Sequence, residues 1–242
     1  MSGELEFQTL DDKAIIKQLE ELRIRVAERF PTRGLTKTVT HLCNIARPTA
    51  REAQSLRDKI WWMRILSILV FAAGAYGFYR LLGFYEVSIG GNLAFTDFAQ
   101  ALDAGLNICL LSGLFILFFV RLEGNFKRVK ALNGLYRLRA IAHVIDMHQL
   151  TKDPTVVLGN QRTSSSPLRD LDDEQLLRYL DYCSEMLSLT GKLAALYAQY
   201  FPDATVISAV NDVEELTTNL SRKIWQKIML VPTAASAQSI RR

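Results

Sequence analysis

Two stretches decide how this chain is read: Ile65-Leu66-Ser67-Ile68-Leu69-Val70-Phe71-Ala72-Ala73-Gly74-Ala75-Tyr76-Gly77-Phe78-Tyr79, and Ala104-Gly105-Leu106-Asn107-Ile108-Cys109-Leu110-Leu111-Ser112-Gly113-Leu114-Phe115-Ile116-Leu117-Phe118-Phe119-Val120. Neither carries a charge. Neither shows the polar stripe of a helix lying half-buried on a water-soluble core. The first lies between Arg64 and Arg80 and is short of the about 17–25 apolar residues that cross a hydrocarbon layer; extended to residues 60–83 it reaches that length. Arg64 and Arg80 then sit near the two interfaces, where a long side chain carries its guanidinium out to the headgroups. Trp61, Trp62, Tyr79, Phe84 and Tyr85 supply aromatic belts at both ends. The second run spans 103–121 and closes on Arg121. The predicted fold is an all-α membrane protein organised around a two-span transmembrane hairpin.

The charges flanking these runs fix an expected orientation. Arg47, Arg51, Arg57, Lys59 and Arg64 precede the first span, while Arg121, Lys127, Arg128, Lys130, Arg137 and Arg139 follow the second. The connection between them holds Glu86, Asp97 and Asp103 and no lysine or arginine. Basic residues stay on the cytoplasmic side, so both termini are expected there and Gly90-Gly91-Asn92 outside. Arg64, Arg80, Arg121, Lys127, Arg128 and Lys130 are the basic residues expected to meet lipid headgroups.

Composition agrees with a small membrane unit joined to helices in water. Of 242 residues, 49% are apolar and 22% charged, and the net charge of +4 gathers beside the spans. That placement points to topology and anionic lipid and away from nucleic acid as a partner. Cys43, Cys109 and Cys183 are odd in number and far apart, so neither a disulfide framework nor a zinc motif is expected. Residues 1–10 are acidic and polar, so the first span is expected to direct insertion without a cleaved signal peptide.

Outside the spans the pattern is helical. In residues 11–30, Ile15, Leu19, Leu22, Val26 and Phe30 recur at helical spacing, from a start marked by Thr9 with Asp12 to a stop at Pro31. That stripe needs a partner, either the C-terminal region or another copy of the chain. Leu35, Val39, Leu42, Cys43 and Ala46 suggest a short helix ending at Pro48, which makes 1–48 an N-terminal cytosolic arm. Thr49-Ala50-Arg51-Glu52 matches a capping box, so a new helix is expected to start there and run unbroken into the first span. The second span is expected to continue to Leu150 as a stalk, weakened by Gly124 and Gly134, which closes a unit at 49–150. Residues 151–169 read as a linker and 170–231 as a cytosolic helical hairpin. Its stripes are Leu176, Leu180, Cys183, Leu187, Leu193 and Tyr197, facing Val206, Val210, Val213, Thr217, Leu220 and Ile224. Pro232 is expected to end it before a disordered tail at 232–242.

Few residues invite chemistry. His143, Asp146 and His148 suggest a metal or a general base, yet on one helix the two histidines lie about 140° apart. The i,i+4 pairing of a zinc helix is missing, so a polar junction with His143 paired to Asp146 is the expected role. Asn107, with Ser112 and Gly113 further along, must find a polar partner within lipid. It serves either as glue between helices or as a pore-facing position. Ala73 and Gly77 match a small-xxx-small contact motif. No P-loop, GxGxxG, HExxH or serine elbow is present, so no catalytic residue, metal or cofactor is expected and the chain is read as a non-enzyme.

A cytosolic N-terminal helix, a tight hairpin from Ile60 to Arg121 and a long stalk together resemble the two-span effectors of bacterial anti-phage systems of the SLATT type. The likeness is architectural, covers about 11–150, and carries no residue role across. It implies a bacterial inner-membrane protein that forms homo-oligomers and breaches the membrane when a cytosolic sensor signals. The alternative is a membrane anchor or scaffold that recruits a soluble partner through the C-terminal hairpin.

Overall fold

A computed structural model describes residues 9–58, 61–88, 95–150 and 171–240. Among them the chain is helical throughout: α1 (Asp12–Arg29), α2 (Gly34–Ser55), α3 (Trp61–Ser88), α4 (Phe95–Leu150), α5 (Asp173–Tyr200) and α6 (Ala204–Ile240). Two compact units result, one from Met1–Arg57 with Lys130–Arg242 and one from Asp58–Val129. The Gly90-Gly91-Asn92 loop and the 151–169 linker fall outside the described residues.

In the first unit α5 is the central rod. Its buried residues, among them Leu180, Cys183, Leu187, Leu193 and Tyr197, lie on nearly all sides, so it must be surrounded by other helices. A capping box starts it: the Asp172 carboxylate accepts from the Gln175 N–H at 2.7 Å, and the Gln175 side chain accepts in return from the Asp172 N–H. Helix α6 returns along α5 after Phe201-Pro202-Asp203, with Asp203 accepting from the N–H groups of Thr205 and Val206 to cap its first turn. Val206, Val210, Val213, Leu220 and Ile224 join the core.

Helix α1 finds its partner within the chain. Ile15, Leu19, Leu22, Val26 and Phe30 are buried in the same core as α2 and α5. Arg25 forks onto Glu185 at 2.7 and 3.2 Å and lies over the Tyr182 ring, while the Phe30 ring meets Tyr179 and Tyr182 edge-on. Asp11 caps the helix, accepting from the Lys13 N–H at 2.9 Å, in place of the expected start at Thr9 with Asp12.

The break expected at Pro48 does not exist. Helix α2 passes through Pro48 and ends at Ser55, so Thr49 is an interior residue and caps nothing. The reason is burial: Leu35, Val39, Leu42, Ala46, Thr49, Ala50 and Ala53 form one continuous inward stripe. Breaking it would expose more than the about 3 kcal/mol that an interior proline costs. Nor does α2 run into the first apolar stretch, since it stops in a turn at Leu56 and Arg57. Pro232 likewise fails to end α6, whose backbone continues as helix to Ile240, where a disordered tail was expected.

Helix α4 continues without a break to Leu150, as the sequence suggested. From Lys130 onward it packs into the first unit through Ala131, Leu135, Leu138, Ala142 and Ile145, alternately three and four residues apart.

Candidate functional site

Two regions stand out: the apolar surface of the second unit and the polar contacts that pin the last turns of α4 in the first.

The second unit buries little. Among the described residues, one helix, Leu102–Leu150, is long and apolar enough to cross a membrane, and only 6% of its most apolar window is buried. The core helix of a water-soluble protein would be covered, and this one is bare. Among the described residues of α3, Ile68–Gly77 forms a further apolar stretch. The two helices approach at Gly74, where an added Cβ would meet Ser112 Oγ at 3.5 Å and Ile108 Cγ2 at 3.6 Å. Phe71, Ala75, Gly105, Ile108 and Ser112 line an apolar groove of about 310 Å³ there.

Of the small and polar residues singled out by sequence, Ser112 lies in this contact. Ala73, Gly77 and Gly113 are exposed, and among the described residues a Cβ at Gly77 or Gly113 would meet nothing within 4 Å. Asn107 is exposed, and its amide donates to Asp103 Oδ2 of its own helix at 3.4 Å. The contact within one chain is thus made at Gly74, one residue after Ala73 and three before Gly77.

The basic residues are split. Arg80 and Arg121 are exposed; the Arg64 side chain lies outside the described residues. Lys127 is half-buried against Glu123 at 2.9 Å, an i,i+4 pair. Arg128 is half-buried, and Lys130 donates to Ser55 Oγ at 2.9 Å.

His143, Asp146 and His148 do not converge. His143 is exposed, whereas His148 turns the other way and packs its ring over Gly34. Asp146 accepts from the Gln149 side chain at 2.5 Å in place of the expected His143. Among the described residues no group of three or more His, Cys, Asp or Glu side chains could hold a metal ion.

The junction is polar nonetheless, through a residue that sequence reading passed over. Gln149 is buried, and Lys227 of α6 donates both to its backbone carbonyl at 3.0 Å and to its Oε1 at 2.6 Å. A cation on the last carbonyls of α4 satisfies an acceptor that has no partner within the helix and opposes the negative end of its dipole. Tyr179 also donates to the His148 carbonyl at 3.4 Å.

A second node ties α4 to α2 and α5. The Arg137 guanidinium donates to Glu52 Oε2 at 2.6 Å and the Tyr197 hydroxyl to Glu52 Oε1 at 3.3 Å. The Tyr197 hydroxyl lies where a side chain at Gly134 would go, so the glycine that weakens α4 locally makes room for this contact. Burial holds the Tyr197 phenol well above its usual range, so it is a neutral donor. These partners are 85 and 145 residues apart, and no local spacing announces them.

Burial also pulls the His148 imidazole below its ordinary value of 6.5. Its neutral form is favoured in the folded chain, so as pH falls the unfolded chain takes up the proton first. The stabilisation is complete above about pH 6.5 and is lost as pH drops through the lower folded value. Between about pH 7 and 5 the melting temperature of the first unit should fall more steeply in the parent than in His148→Gln. Identical pH profiles would show that the ring is not coupled to folding.

No protein-family model, curated protein or solved structure matches the chain.

Proposed function

We propose that this chain is a non-enzymatic integral membrane protein of the bacterial inner membrane. In this reading it crosses twice, keeps both termini in the cytoplasm, self-associates, and acts as a pore-forming or membrane-disrupting effector in anti-phage defence. The observation that carries the membrane part is the bare apolar surface of α4, from Leu106 and Leu110 through Leu114 and Leu117 to Val120. Buried apolar area is worth about 25 cal/mol per Å², and this face would forgo that in water. The basic residues on either side of the two apolar runs, and their absence between, support the orientation. The architectural resemblance supports the effector role. Two spans cannot enclose a water path, so conduction needs several copies.

Induced expression in cells loaded with a potential-sensitive dye tests the effector role: depolarisation and growth arrest are expected on the trigger. Normal potential and growth under phage challenge would remove it. An anchor or scaffold is the second reading, favoured by the exposed Trp225 and Met229 on α6. A stoichiometric second protein that copurifies with the full chain, and is lost in Trp225→Ala, would select it.

A further inference from the structure

Helix α4 has two seams in the first unit, and the fold uses one. The inward seam is buried in the core. On the opposite side Asn133, Tyr136, Ala140, His143, Met147 and Leu150 are all exposed. Their spacing is three, four, three, four and three residues, which is the a/d repeat of a coiled coil. Tyr136, Met147 and Leu150 leave 62%, 67% and 60% of their surface open, large fractions for such residues in a row.

We infer that this outward stripe of α4 is the seam at which a second copy of the chain pairs, parallel and in register. The inference rests on the self-association proposed above and names its surface. Asn133 occupies an a position, and one asparagine there is the polar device that fixes register in coiled coils. Facing its own copy, each amide both donates and accepts; facing an apolar groove it would be left unpaired. The flanking charges favour the same arrangement. In parallel register Arg139 meets Val144 of the other copy and Arg137 meets Leu132, so no like charges confront each other. The stripe and Val144 offer roughly 500–600 Å² per copy, or roughly 1,000–1,200 Å² in total, which reaches the lower bound of stable specific interfaces. Chains inserted in one membrane share a direction and a raised effective concentration, and both favour parallel pairing.

The test uses the full-length chain in native membranes, with the exposed Cys109 replaced by alanine. Single cysteines are introduced as Asn133→Cys, Ala140→Cys and Met147→Cys on the stripe, and as Lys17→Cys and Thr218→Cys elsewhere on the unit. On copper-phenanthroline oxidation the three stripe variants should give disulfide-linked dimers and the other two monomers. Tyr136→Glu with Met147→Glu, added to Ala140→Cys, should cut the dimer band at least tenfold with helical content unchanged. The mass of the parent in nanodiscs separates the two claims. Two or more copies without stripe cross-links would overturn the seam and leave self-association standing. A single-chain mass would overturn both.

Discussion

Replacing Tyr197 with alanine is expected to destabilise the first unit by about 3–5 kcal/mol, the usual loss for a large aromatic removed from a closed core. The ring is fully buried on the central helix, and its hydroxyl spans α4 and α2 by lying over Gly134 and donating to Glu52. Tyr197→Phe keeps the packing and should cost about 1 kcal/mol, the net value of one hydrogen bond. Gly134→Ala should cost about 1–3 kcal/mol by overpacking, less about 1 kcal/mol returned by helix propensity. Because the new methyl would meet both the Tyr197 hydroxyl and its ring carbon Cζ, the effects of Gly134→Ala and Tyr197→Phe should not add. Hydrogen exchange of α5 amides in the full chain reads each value. Parent-like protection in Tyr197→Ala would show that the three helices are not held together there.

Arginines at Leu111 and Leu117 should have opposite consequences in lipid and in water. Both positions are exposed on the apolar part of α4. At the centre of a membrane-spanning helix each arginine costs about 2.5–3.5 kcal/mol. On a water-exposed helix such changes stay within about 0.5 kcal/mol and improve solubility. The expected result is that the parent stays in the carbonate-washed membrane fraction and the double variant leaves it or is degraded. A parent recovered in the soluble fraction, or a double variant retained like the parent, would refute the bilayer assignment of this helix.

Much of the helical architecture was legible because burial leaves a periodic trace. The stripes of α1 and of the α5–α6 pair, and the long run of α4, are written as apolar residues three and four apart, and the structure buries those of the first unit. What misled was punctuation. Pro48, Thr49-Ala50-Arg51-Glu52 and Pro232 are strong local signals for helix ends, and at Pro48 an inward stripe on both sides outweighs the lost hydrogen bond. A local rule weighs one turn, whereas the core weighs the whole helix.

The polar contacts were less legible. His143, Asp146 and His148 caught attention by composition, yet one helix turns them to different sides. Gln149 with Lys227, and Glu52 with Arg137 and Tyr197, join residues far apart in the chain, where only the packed fold brings them together. Asn133 was unremarkable until the exposed side of α4 was known, because an asparagine gains meaning from its seam. Within the chain the close approach falls at Gly74, beside Ala73 and three residues before Gly77, since small residues crowd that stretch and spacing alone does not choose among them.

The first unit is assembled from two separated segments, Met1–Arg57 and Lys130–Arg242, and this sets a schedule for biosynthesis. Helices α1 and α2 leave the ribosome before α5, against which they pack and which is made more than a hundred residues later. At about 5–20 residues per second the nascent chain must carry Leu19, Leu22, Leu35 and Leu42 without their final cover for roughly ten seconds. The apolar faces of α1 and α2 therefore stay without their final cover until α5 has been made, and truncation between α2 and α5 would leave those faces exposed to aggregation.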